Sequence, residues 1–156
     1  MKTLVVVSTF DGISVALLAL RWRFPDYRII YYSIEIDAKA MMISKYNHPD
    51  SDLLSIRYLG DIRLVTKDMI PEQVDIYLGG SPCTNLSIAG KRNGLMAPSF
   101  KEYMKLKKSN HKFEGQSYLF WEFIRLKKLF KPTYFMLENV RMKKEDENII
   151  TNALEK

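Results

Sequence analysis

Apolar residues in this chain fall into short unbroken runs separated by stretches with helical spacing. Lys2 to Ser8 reads as a strand buried on both faces, followed by a turn at Phe10-Asp11-Gly12-Ile13-Ser14. Val15 to Trp22 is a strongly apolar helix that must end before Pro25. Tyr27 to Glu35 gives a second buried strand, and Asp37 can cap a helix running to about Tyr46, where Asn47-His48-Pro49 stops it. A weaker third strand lies at Ser55 to Leu59, before Gly60-Asp61-Ile62, and a short helix follows it and ends by Pro71. Val74 to Leu78 predicts a fourth strand. Thr84 to Gln116 has little periodicity and reads as a loop. Tyr118 to Phe130 spaces Leu119, Phe123, Leu126 and Phe130 as one face of an amphipathic helix. Thr133 to Leu137 is a fifth strand, and Lys143 to Lys156 a final helix. Strand and helix alternate throughout, which predicts an α/β fold with a largely parallel sheet in a single domain spanning residues 1–156.

Composition narrows the function classes. At 156 residues and 47% hydrophobic the chain can bury a core. Its single cysteine excludes an internal disulfide framework and suits a reducing cytoplasm. No apolar run approaches membrane-spanning length, and Leu4-Val5-Val6-Val7 is too short for a signal peptide. His48 and His111 with one cysteine supply no metal-ligand set. Charge is uneven: Lys91 to Lys131 carries eleven Lys or Arg against three Glu, although the whole chain is only +6. A lysine run is usually a solvated face; placed just after the cysteine, this one also reads as a flank facing nucleic-acid phosphates.

The candidate chemistry sits where strands end. Gly79-Gly80-Ser81-Pro82 should turn the chain sharply and hold Cys83 rigidly at the carboxyl end of the fourth strand, the edge at which open α/β sheets bind ligands. A cysteine that merely packs needs no such turn. Glu35 lies 23 residues beyond Gly12, a spacing that suits an acid accepting from ribose hydroxyls. There is no G-x-G-x-x-G, so a nucleoside cofactor without phosphates fits better than a dinucleotide. Asp61 ends the third strand and can accept from an adenine amino group; a lone strand-end Asp is more commonly a helix cap. Glu138 ends the fifth strand. A thiolate beside a carboxylic acid can activate a pyrimidine, the thiol adding at C6 and the acid supporting N3, so that C5 attacks an electrophilic methyl group.

These residues, in this order, resemble the amino-terminal catalytic part of the DNA cytosine-5 methyltransferases, most of all the animal de novo branch and phage or bacterial relatives. Phe10-Asp11-Gly12-Ile13 resembles the family's first motif, Glu35-Ile36 its ribose- and adenine-contacting pair, and Asp61-Ile62 its adenine motif. Gly79-Gly80-Ser81-Pro82-Cys83 is similar to the nucleophile motif, and Leu86 to Arg92 to the loop that closes over DNA. Phe120-Trp121-Glu122-Phe123 and Glu138-Asn139-Val140 resemble the next helix and the Glu-Asn-Val motif. The resemblance implies a Rossmann-like fold that uses S-adenosylmethionine and acts on DNA, in a phage or restriction-modification setting and a cytoplasmic or nucleoid location. Cys83 and Glu138 would be catalytic; Phe10, Asp11, Gly12, Ile13, Glu35, Ile36, Asp61 and Ile62 would bind cofactor; Ser81, Pro82, Ser87, Lys91, Arg92, Asn139 and Val140 would face DNA. Thr84 departs from the Gln or Asn common at its position. The family's arginine motif, target-recognition region and last cofactor segment have no counterpart here, so the sheet is expected to be cut short after about five strands. Two alternatives follow. One is a catalytically incomplete or accessory chain completed by a second polypeptide, and the other a tRNA cytosine-5 methyltransferase.

Overall fold

A computed structural model describes residues 1–82 and 95–155. Five strands, β1 (Thr3–Thr9), β2 (Arg28–Ile34), β3 (Leu54–Tyr58), β4 (Ile76–Gly80) and β5 (Tyr134–Glu138), form one sheet in the order β3-β2-β1-β4-β5. The pairings of β1 with β2 and β4, and of β2 with β3, are parallel, with Val6 opposite both Tyr31 and Ile76. On the far side, Thr133 and Tyr134 donate their N–H groups to the carbonyls of Val74 and Asp75, so β5 ascends in step with β4. Strand and helix alternate as the apolar pattern predicts, and the parallel α/β architecture follows.

The chain divides into two compact units, residues 1–80 with 129–137, and 81–128 with 138–156. In the first, α1 (Val15–Arg23) covers one face of the sheet. Its Leu17 packs with Leu4, Val6, Ile29, Tyr31, Leu54 and Leu78 in one buried cluster. Alternation along β1 sends Leu4 and Val6 to this face, and each such side chain contributes roughly 1.5–3 kcal/mol by leaving water. Helix α2 (Ala38–Asn47) starts where Asp37 accepts from the N–H groups of Lys39 and Ala40, the expected cap. Between β3 and β4 the expected short helix is two 3-10 turns, Ile62–Leu64 and Lys67–Met69.

The second unit contains α3 (Phe100–Lys108), most of α4 (Leu119–Phe130) and α5 (Lys144–Glu155). Helix α3 corrects the expected loop over Thr84 to Gln116. Ser99 caps it, its Oγ accepting from the Glu102 N–H at 3.2 Å, and Lys105, Lys107 and Lys108 occupy its negative end. A Ser-x-x-Glu start and a basic last turn are helix signals that the low apolar content of the segment hides. Trp121 donates Nε1–H to the Leu95 carbonyl at 3.2 Å, and Tyr103 stacks on both Tyr118 and Trp121.

Candidate active site

All four strands with a measured register run the same way, so the turns after β1, β2, β3 and β4 leave the sheet at one edge. The turn after β1 is the most constrained piece of backbone there. Phe10, Gly12 and Ser14 have φ of 54°, 57° and 63°, all left-handed. For the two residues with side chains such a conformation costs about 1–3 kcal/mol each and persists only where surroundings enforce it. Phe10 and Asp11 both donate N–H to the Ile34 carbonyl, at 2.9 and 3.4 Å.

Glu35 closes this turn from the end of β2. Its Oε2 accepts the Gly12 N–H at 2.8 Å, and its Oε1 accepts those of Ile36 and Asp37, each at 2.8 Å. A carboxylate offers about four acceptor positions, so one on Oε2 is left for a ligand hydroxyl. A Cβ built on Gly12 would meet nothing within 4 Å, so the space over the turn is open. Ile36 is 66% exposed beside Glu35, whereas Ile62 at 4% is part of the core. Ile13 is exposed. Asp11 directs both carboxylate oxygens to neighbouring hydroxyls: Oδ1 accepts from Tyr31, and Oδ2 from Ser14 and Ser33. Asp61 caps the first 3-10 turn and also holds the Arg63 guanidinium, with Nε at 3.0 and 2.9 Å from its two oxygens.

At β4 the structure differs from expectation. Gly79 and Gly80 continue the strand, Gly79 pairing with Thr9, and neither has positive φ, so the two glycines do not make the sharp bend expected of them. Ser81 is buried and receives a hydrogen bond at 2.9 Å from Nδ2 of Asn139, whose Oδ1 accepts the Val140 N–H. The segment entering the nucleophile motif is therefore tied directly to the Glu-Asn-Val motif, two residues short of Cys83 and one beyond Glu138. Pro82 is half-buried, while Glu138 and Val140 are exposed. Cys83, Thr84, Ser87, Lys91 and Arg92 lie outside the described residues.

The basic segment is partly spent internally. Lys107 and Arg125 bind the buried carboxylate of Glu122, Lys127 donates to the Leu154 carbonyl, and Lys128 sits over the Phe100 ring. Among the described residues no group of three His, Cys, Asp or Glu could hold a metal ion, and no helix is long and apolar enough to cross a membrane. The sequence reading missed Tyr31, Ser33, Ser14, Ser44 and Tyr58, which connect to Asp11. The available signal was polar residues set into otherwise apolar strands and a serine on a helix flank.

The model of the C-5 cytosine-specific DNA methylases matches residues 4–156. The chain belongs to this family. Curated DNA methylase relatives include the orphan methyltransferase M.Rho11sI of Bacillus phage rho11s, 31% identical over 90% of this chain and 24% of its own length. The orphan methyltransferase M.SPBetaI of Bacillus phage SPbeta is 34% identical over 90% of this chain and 34% of its own. The type II methyltransferase M.NgoPII of Neisseria gonorrhoeae is 30% identical over 68% of this chain and 25% of its own. The chain thus spans about a quarter to a third of the length of these relatives.

Proposed function

We propose that the chain carries the cofactor site and the nucleophile of a methyltransferase acting on C5 of cytosine in DNA. The observation that carries the reading is the carboxylate of Glu35 fastened to the Gly12 turn with one acceptor position left over and open space above. S-adenosylmethionine, when bound, supplies an electrophilic methyl group on a sulfonium sulfur. The residues present suit it: Glu35 can accept from a ribose hydroxyl, exposed Ile36 can pack on the adenine face, and the Gly12 turn admits close approach of the chain to the ligand.

In this reading Cys83 adds through its thiolate to C6 of the target base, breaking the C5–C6 double bond, while Glu138 gives a proton to N3 and so offsets the charge pushed into the ring. C5 would then take the methyl group as the sulfonium S–CH3 bond breaks and a neutral thioether leaves. Loss of the C5 proton to a base, cleavage of the C6–S bond and return of the N3 proton to Glu138 would restore the double bond, the thiolate and the acid. The hydrogen bond between Asn139 and Ser81 supports the pairing of Cys83 with Glu138, since it couples their two motifs. A cytosine must leave the duplex for this chemistry, at an unstacking cost of a few kcal/mol that DNA contacts must offset.

Exposure of β5 favours a second reading, in which the chain works only with a complementing polypeptide. Tyr134 is 70% exposed and Met136 58% exposed on a strand of apolar composition. The test is to incubate the protein with 5-fluorocytosine DNA and cofactor, where an adduct that resists denaturation should form and Cys83→Ala should abolish it. An adduct only in the presence of a complementing chain selects the second reading. Adduct on tRNA but not on DNA, or none under any condition, overturns the first.

A further inference from the structure

One carboxylate of the first unit belongs to the strained turn itself, and its side-chain partners are all neutral hydroxyls. Oδ1 of Asp11 takes the Tyr31 hydroxyl at 2.6 Å; Oδ2 takes Ser14 Oγ at 2.6 Å and Ser33 Oγ at 2.7 Å. Ser14 Oγ lies 2.6 Å from Ser44 Oγ, which lies 2.9 Å from the Tyr58 hydroxyl. A carboxylate only accepts, and each hydroxyl has one proton, so the direction along this chain is forced. Ser14 donates to Asp11, Ser44 donates to Ser14, and Tyr58 donates to Ser44. Five hydroxyl groups from β2, α2, β3 and the turn itself are oriented by one charge. Burial, then the charge and hydrogen bond of Asp11, push the Tyr31 phenol up, which keeps it a donor near neutral pH.

We infer that Asp11 is a positioning residue for the cofactor turn, and that Tyr31, Ser33 and the Ser14–Ser44–Tyr58 relay hold that turn in its left-handed form before any ligand arrives. The inference rests on the cofactor reading above and assigns Asp11 and its hydroxyl partners a role exerted through the turn. The turn has two non-glycine residues at positive φ, one of which, Ser14, is itself a member of the relay. Without the carboxylate the Ser14 side chain loses its acceptor, and the turn is left with its backbone ties: those to Ile34 and Glu35 and the Ser14 N–H to the Asp11 carbonyl at 3.0 Å. Binding would then have to order the turn, and the apparent affinity falls by the fraction of molecules in which it is already formed.

The experiment compares the 156-residue chain with Asp11→Asn, Tyr31→Phe and Tyr58→Phe in two measurements. One is calorimetric titration with S-adenosylhomocysteine. The other is amide hydrogen exchange over residues 10–15 without ligand. Weakened binding by about tenfold for Asp11→Asn, about threefold for Tyr31→Phe and under about twofold for Tyr58→Phe is expected, in that order, because the losses run from the shared acceptor outward. Exchange at Gly12 to Ser14 should quicken in the same order at temperatures where each variant is fully folded. A purely structural role would lower the unfolding midpoint and leave affinity and local exchange of the folded protein alone. That result overturns the inference. Should Asp11→Asn fail to fold, Tyr31→Phe decides by the same two readouts. If the unmodified chain does not bind S-adenosylhomocysteine at all, the cofactor reading falls and takes this inference with it. If it binds and the variants bind equally well, only the inference falls.

Discussion

Asp11 in the first unit and Glu122 in the second are each surrounded by three donors, but of opposite kinds. Asp11 is held by neutral hydroxyls. Glu122, with no exposed surface, is held by the Tyr103 hydroxyl at 2.5 Å, by Arg125 Nε at 2.6 Å and by Lys107 Nζ. A fully buried carboxylate without cations would be very costly, so the charges on Lys107 and Arg125 are what allow it to exist there. Asp11, only half-buried, manages with hydroxyls and keeps a small, directional cluster against a strained turn. The difference separates two uses of one functional group. Glu122 ties α3 to α4 and specifies packing; Asp11 specifies the shape of a few backbone atoms.

Removing each carboxylate tests that division. Glu122→Ala should cost about 3 kcal/mol in urea unfolding, at the low end for a broken buried pair because Lys107 can swing into water. Tyr103→Phe should cost about 1 kcal/mol, since burial, then the hydrogen bond and charge of Glu122, already hold its phenol far up in its donor form. Asp11→Asn comes second, at about 1–2 kcal/mol, because its donors lose an acceptor but leave no buried charge behind. If Asp11→Asn unfolds the protein more readily than Glu122→Ala, the division between a packing carboxylate and a shaping one fails.

Acid extends the contrast to His48, which closes α2 and is only 6% exposed, with Nδ1 unpartnered among the described residues. Burial first, and the charge of Arg21 second, lower its pKa below the usual 6.5; Asp11 and the Ser14 backbone oppose them without prevailing. A histidine with a lowered pKa in the folded state binds its proton better when unfolded. Its contribution to stability is complete above about pH 6.5 and is lost as pH falls from there through the lowered value. Melting temperatures at about pH 7.5 and about pH 5.5 should therefore differ more in the unmodified chain than in His48→Gln. Equal slopes would remove His48 from the acid response.

What was legible in the sequence were the contacts that act locally. Asp37 caps α2, Gly12 takes a positive φ, and apolar runs became parallel strands, because each depends on a few adjacent residues. The Gly79-Gly80 pair was misjudged as a bend since glycine permits a turn without requiring one, and pairing with β1 keeps it extended. Tyr31, Ser44 and Tyr58 were illegible for a different reason. They meet only after β2, α2 and β3 assemble, and no spacing in the chain records that Tyr58 lies beside Ser44. Glu122 was read as part of a motif, and its two cations as surface charge, for the same reason.

Asp61 supplies a third carboxylate and the mildest prediction. It caps a 3-10 turn through the Arg63 N–H and also grips the Arg63 guanidinium, a pair whose side chains are 21% and 53% exposed. An exposed pair of this kind contributes little, so Arg63→Ala should change stability by no more than about 0.5 kcal/mol, because the backbone cap survives the substitution. Asp61→Ala should cost about 1 kcal/mol through loss of that cap. The two variants also part on ligand binding. If Asp61 accepts from an adenine amino group, the guanidinium competes for the same oxygens, and Arg63→Ala should bind S-adenosylhomocysteine at least as tightly as the unmodified chain, while Asp61→Ala binds it more weakly. Weaker binding by Arg63→Ala would assign the contact to the arginine instead, and would make Asp61, like Asp11, a group that shapes the site from behind.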